Sequence, residues 1–146
     1  MIDSHPEWFK KALLVEKEQK IIEVEEGEIF YQHWGDKSKP GIVLVHGSGS
    51  HSHWWDFIAP QLLETFQVSA IDLSGMGESS HREDYSPELY AKEILSVAED
   101  SGFFQVGKPI ICGHSMGGFM TATAGYITDK ELTGVIMIDS PIRPPT

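Results

Sequence analysis

Residues 110–118 read Ile110-Ile111-Cys112-Gly113-His114-Ser115-Met116-Gly117-Gly118. A short apolar run, typical of a buried strand, leads into G-x-S-x-G, and the residues from about Met116 to Ile127 read as a helix. A strand-to-helix turn this tight forces its serine into a strained backbone conformation. The residues two before and two after the serine then crowd one another, and Gly113 and Gly117 are the small residues that this demands. Ser115 Oγ is lifted clear of the sheet at the start of the helix. There the helix dipole and the free N–H of Met116 can stabilise a developing oxyanion. The bland alternative is a glycine-rich β–α turn without chemistry, and the strand–helix context favours the nucleophile.

Working outward, further apolar runs stand at Ile42-Val43-Leu44-Val45, Phe66–Ile71 and Val135-Ile136-Met137-Ile138. Between them come a helix-like stretch from Trp54 to Glu64, interrupted by Pro60, and a well-signalled helix. The latter opens on Ser86 as N-cap and Pro87 in the first turn, and carries the stripe Tyr90, Ile94, Val97, Ala98 up to a stop at Gly102. Strands alternating with helices, apolar on both faces, predict a mostly parallel sheet covered on both sides. Upstream, residues 18–34 alternate about a turn at Glu26-Gly27 and predict a hairpin. Before that, Ser4 as N-cap, Pro6, and Trp8, Phe9, Ala12 and Leu13 at helical spacing predict a short helix.

Ligands of such a sheet bind beyond the carboxyl ends of its strands, so the loops after residues 45, 71, 112 and 138 are where chemistry is expected. After the first run stands His46-Gly47-Ser48-Gly49, whose small residues let the backbone approach a substrate carbonyl. The Ser48 N–H is the candidate second oxyanion donor. After the second stands Asp72-Leu73-Ser74-Gly75-Met76-Gly77-Glu78-Ser79. It lacks the third glycine of a dinucleotide fingerprint, and the chain has no G-K-[ST], which argues against nucleotide binding.

These three motifs, in this order, resemble the α/β-hydrolase superfamily, and within it the bacterial esterase-like serine hydrolases. The likeness runs from about residue 20 to residue 141. It implies a three-layer α/β fold with helices on both faces of a mostly parallel sheet. It also implies Ser115 as nucleophile, Ser48 and Met116 as oxyanion-hole donors, and a loop shaped by Asp72 and Gly75. A serine rather than an aspartate as nucleophile argues against the dehalogenase and epoxide-hydrolase branches. In this family the triad runs Ser…Asp/Glu…His. After Ser115 the acids are Asp129, Glu131 and Asp139, and no histidine follows. Asp139 stands at the correct sheet edge for an acid, but a strand-end residue bonding the loop backbone is an equal reading. His33, His46, His51, His53 and His81 read as packing or surface residues rather than as a general base.

The fourth run asks for cover on both faces and is followed only by the Pro-rich exit from Pro141 to Thr146. The expectation is therefore the N-terminal portion of the fold, truncated after about the sixth strand. Residues 1–16 form a helical extension, and 17–146 a partial core ending before the lid and last strands. Self-association, or pairing with a complementary C-terminal fragment, follows from that open edge.

Composition narrows the function. The net charge is -11, with ten acids and two bases between residues 41 and 105, which disfavours nucleic acid and anionic membranes as partners. One cysteine, Cys112, excludes an internal disulfide. With no membrane-length apolar stretch and no signal pattern at the N-terminus, a cytoplasmic protein is the simplest expectation. The leading function is a serine hydrolase of a small acyl substrate, an ester or related bond, needing neither cofactor nor metal and weakly active at best as this chain. The alternatives are carbon–carbon hydrolysis or perhydrolysis at the same site, and a non-catalytic ligand- or partner-binding module.

Overall fold

The structure, a computed structural model, describes residues 2–142. Residues 143–146 of the Pro-rich exit lie outside the described residues. A short helix α1 (Glu7–Leu13) precedes the hairpin of β1 (Glu18–Val24) and β2 (Gly27–Trp34). There follow β3 (Gly41–Val45), β4 (Gln67–Ile71), α2 (Pro87–Asp100), α3 (Phe103–Val106), β5 (Ile110–His114), α4 (Met116–Ile127) and β6 (Gly134–Ile138). The strands form one six-stranded sheet in the order β1-β2-β4-β3-β5-β6. β2 runs antiparallel to β1 and β4, whereas β4, β3, β5 and β6 are mutually parallel.

The continuous apolar runs buried themselves where the sheet is covered twice. On one face, Ile94, Val97, Phe103, Met120 and Ala124 of α2–α4 pack on Val43, Val45, Ile71 and Ile111. On the other, Trp34, Ile42, Leu44, Val68, Ala70 and Cys112 lie under Trp55 and Ala59. Each fully buried side chain of this size contributes about 1.5–3 kcal/mol. The polar residues inside β4 are satisfied: Gln67 Nε2 donates to the Lys37 and Lys39 carbonyls, Gln67 Oε1 meets His33 Nε2 at 2.8 Å, and Ser69 bonds Ser101. No helix among the described residues is long and apolar enough to cross a membrane.

Three local expectations are corrected. The stretch 54–64 is not one helix but two 3-10 turns, Ser52–Trp55 and Ala59–Leu62. Pro60 stands in the first turn of the second, where its missing N–H is harmless, and it would have broken a continuous helix. The hairpin turn is Glu25-Glu26, both at positive φ (48° and 64°), and Gly27 already pairs with Val24. That strain is held by Arg82, whose guanidinium donates to the carbonyls of Glu25 (2.7 Å) and Val24 (2.6 Å). Gly27 is small because a Cβ there would meet the guanidinium at 2.8 Å. Finally, α1 is capped by Pro6 rather than Ser4, which belongs to the 3-10 turn before it. Ser86 does cap α2, accepting from the Leu89 N–H at 3.1 Å.

Candidate active site

Ser115 stands between β5 and α4 with φ 54° and ψ -119°, a conformation L-residues rarely adopt. Its neighbours hold it there. The Ser115 N–H donates to the Ile138 carbonyl at 2.9 Å, and its own carbonyl accepts from Gly118 N–H (3.0 Å), Phe119 N–H (3.3 Å) and Ser140 Oγ (2.8 Å). A Cβ on Gly113 would overlap the Gly117 carbonyl, as the crowding argument requires. A Cβ on Gly117 would overlap the carbonyls of His46 and Val45, so the second glycine is needed against the neighbouring strand end rather than against Gly113.

Met116 is the first residue of α4, and its N–H has no acceptor within the helix. Across from it, Gly47-Ser48-Gly49-Ser50 forms a tight turn closed by Ser50 N–H donating to the Gly47 carbonyl at 3.2 Å, with Gly49 at φ 68°. The turn consumes the Ser50 N–H and leaves that of Ser48 unspent. A Cβ on Gly47 would lie 3.3 Å from Ser115 Cβ, so this loop passes directly against the candidate nucleophile. Gly47, Ser48, Ser50, Trp54, His114 and Ser115 line a cavity of about 250 Å³. The rings of Trp54 and His114 stack at 6.1 Å and 12° and make its wall. A larger groove, about 410 Å³ beside Val15, Lys17, His33 and Leu63, holds no comparable serine and lies away from these loops.

The structure places the other residues singled out in the sequence outside the lining of this cavity. His46 is fully buried, and both of its ring nitrogens are engaged, Nδ1 with the Gly47 carbonyl (2.8 Å) and Nε2 with the Leu73 N–H (3.0 Å). His33 is held by Gln67; His51 Nδ1 accepts from His53 N–H, and His53 Nδ1 meets Asp56 at 2.8 Å. Burial keeps the imidazoles of His33 and His46 below their ordinary pKa, favouring the neutral form, and pushes the Cys112 thiol up, away from reactivity. Asp139 is exposed at the end of β6, at φ 49°. Among the described residues, no three His, Cys, Asp or Glu side chains gather closely enough to hold a metal ion.

One feature of the site was missed from sequence. Trp54 and His114 form the cavity wall; the position before the serine in G-x-S-x-G stands beside the nucleophile by construction, which was the available signal. Asp72, which the resemblance implied as shaping the loop after β4, is almost fully buried and accepts from Ser52 N–H (2.6 Å) and Glu78 N–H (2.8 Å), joining the loops after β3 and β4.

Comparison with known proteins agrees with this architecture. Residues 42–146 match the alpha/beta hydrolase family, and the chain belongs to that family. It is 29% identical to the esterase Rv0045c of Mycobacterium tuberculosis over 82% of this chain and 39% of that protein. Among solved structures, it resembles the thioesterase domain from the curacin biosynthetic pathway with a TM-score of 0.77 and 25% identity, over 90% of this chain and 49% of that one. It also resembles the 2-hydroxy-6-oxo-6-phenylhexa-2,4-dienoate hydrolase of a Rhodococcus strain, with a TM-score of 0.75 and 30% identity, over 86% and 47%. The chain thus spans less than half the length of these relatives.

Proposed function

We propose that this chain carries the nucleophile and oxyanion hole of a serine hydrolase acting on a small ester, thioester or related acyl compound. The observation that carries the reading is Ser115 itself. It is strained at a strand–helix junction, faces a cavity, and has the Met116 N–H on one side and the Ser48 loop on the other. In the reaction, Ser115 Oγ bonds to the acyl carbon and its proton passes through a general base to the departing alcohol or thiol. The Met116 and Ser48 N–H groups hold the oxyanion formed on the way. Water then attacks the acyl-serine, releasing the carboxylic acid and restoring the hydroxyl. The esterase and thioesterase named among the relatives support this choice of bond.

The base is the weak part of the machinery on this chain. His46 has both nitrogens engaged, and no histidine follows Ser115. Turnover by residues 1–146 is therefore expected to be feeble, the oxyanion hole alone giving a modest gain over water.

A fluorophosphonate probe followed by mass spectrometry tests the proposal. The expected result is slow modification at Ser115 that vanishes in Ser115→Ala. No modification, or modification that persists in the variant, would favour a binding module without turnover. Rapid hydrolysis of p-nitrophenyl acetate, abolished in Ser115→Ala, would instead promote one of the histidines on this chain to general base.

A further inference from the structure

His46, Asp72 and Glu93 are buried, titratable and unused by the chemistry above. The first two converge on one loop. A backbone N–H can only donate, so the bond from Leu73 makes His46 Nε2 an acceptor and leaves the imidazole proton on Nδ1, facing the Gly47 carbonyl. His46 therefore bridges the start of the loop after β3 to the loop after β4. Five residues beyond Gly47, the Asp72 carboxylate repeats the connection: one oxygen takes the Ser52 N–H, the other the Glu78 N–H. Gln32 Nε2 holds the Ser52 hydroxyl from the far side at 3.0 Å. The β4 loop is itself fixed, because Glu93 accepts from both the N–H (2.8 Å) and the hydroxyl (2.7 Å) of Ser74.

Both ends of the segment bearing Ser48 are thus pinned to one rigid neighbour, while its Gly47 lies against Ser115 and Ser48 lines the same cavity as the nucleophile. We propose that His46 and Asp72 form a two-point clamp that sets the distance of the Ser48 N–H from the reacting carbonyl. This inference rests on the reading of Ser48 as an oxyanion donor. Neither side chain lines the cavity, so both are positioning residues. The Met116 N–H, carried by α4, is outside the clamp. Loosening the clamp should displace one oxyanion donor and leave the other in place, and displacement by a fraction of an ångström suffices to weaken catalysis.

The test uses the ¹⁵N-labelled chain. In the wild type, His46 Nε2 should resonate as an unprotonated acceptor and show a scalar coupling to the Leu73 amide. In Asp72→Asn, one of the two N–H groups loses its acceptor, because the amide nitrogen can only donate. In His46→Ala the bond to the Gly47 carbonyl and the bond from the Leu73 N–H are both lost. The Ser48 amide signal should shift or broaden in each variant while Met116 stays unchanged. The maximal rate of fluorophosphonate labelling should fall about tenfold or more at an unchanged half-saturating probe concentration. Should His46→Ala not fold, Asp72→Asn and the wild-type Leu73 coupling decide. Ser48 signals that stay put, or that move together with Met116, would overturn the clamp. Absence of labelling in the wild type would count against the serine hydrolase reading instead and leaves the amide criterion standing.

Discussion

Strands β5 and β6 lie side by side, run the same way and consist almost wholly of apolar residues, yet their surroundings are opposite. In β5, Ile111 is wholly buried and Cys112 nearly so, with β3 on one side, β6 on the other and both faces covered. In β6, Val135, Ile136 and Ile138 are each at least 40% exposed, and the outer edge pairs with no strand among the described residues. The sheet's other edge is blunted differently: β1 carries Glu18, Lys20 and Glu23 among its apolar residues. A strand's hydropathy records the cover it requires; its place in the sheet decides whether it receives that cover.

The glycines on the two sides of this divide should give the largest contrast. Gly117→Val drives a branched side chain into the His46 and Val45 carbonyls and should remove about 5 kcal/mol or more, comparable to the whole stability of a small domain. Gly134→Val in β6 meets nothing within 4 Å and should change stability by less than about 1 kcal/mol. Urea midpoints of the two variants measure this; equal losses would erase the distinction. An intermediate contrast comes from isoleucines. Ile111→Ala should cost about 2–5 kcal/mol, whereas Ile136→Ala should cost under about 1 kcal/mol. The isolated chain should also self-associate through β6, more strongly as salt screens the net charge of -11, and Ile136→Lys should reverse this. Sedimentation velocity at several salt concentrations reads it out. A monodisperse monomer at every salt would mean that the edge is already protected.

The smallest effect is that of pH. His33 and His46 both lie on the covered side, and burial lowers both pKa values below the ordinary 6.5. The unfolded chain therefore binds these protons at higher pH than the fold does. Stability should be full above about pH 6.5 and decline as pH falls below it. Glu93 runs the other way: burial raises its pKa, so its contribution grows only as pH falls toward the ordinary carboxylate range. Melting temperatures between pH 7.5 and 5.5 should thus fall. His33→Gln should flatten the slope, and Ile136→Ala should leave it unchanged.

The sequence was most legible where one residue type had one physical use. Ser86 and Pro87 marked the start of α2, and G-x-S-x-G marked the β5–α4 junction to the residue. It was misleading where a glycine had two possible uses. Gly27 looked like a turn former and is instead the space occupied by Arg82, a partner 55 positions away that no local pattern announces. The same holds for the cavity. Ser48, Ser115 and Met116 were visible as members of short motifs. The bridges made by His46 and Asp72 depend on two loops meeting in space, which spacing along the chain does not encode.

The strand order has a consequence for how the chain acquires its shape. β2 is complete at Trp34, but its second neighbour is β4, where Trp34 pairs with Val68. At ribosomal speeds, the residues between them take roughly 2 to 7 s to be made. For that interval the hairpin exposes one side of β2, and β3 emerges before the strand that will separate it from β2. Pairing β2 directly with β3 is then the nearest wrong choice. The buried polar set Gln32, His33 and Gln67 disfavours it, because His33 finds its glutamine partner only once β4 has arrived.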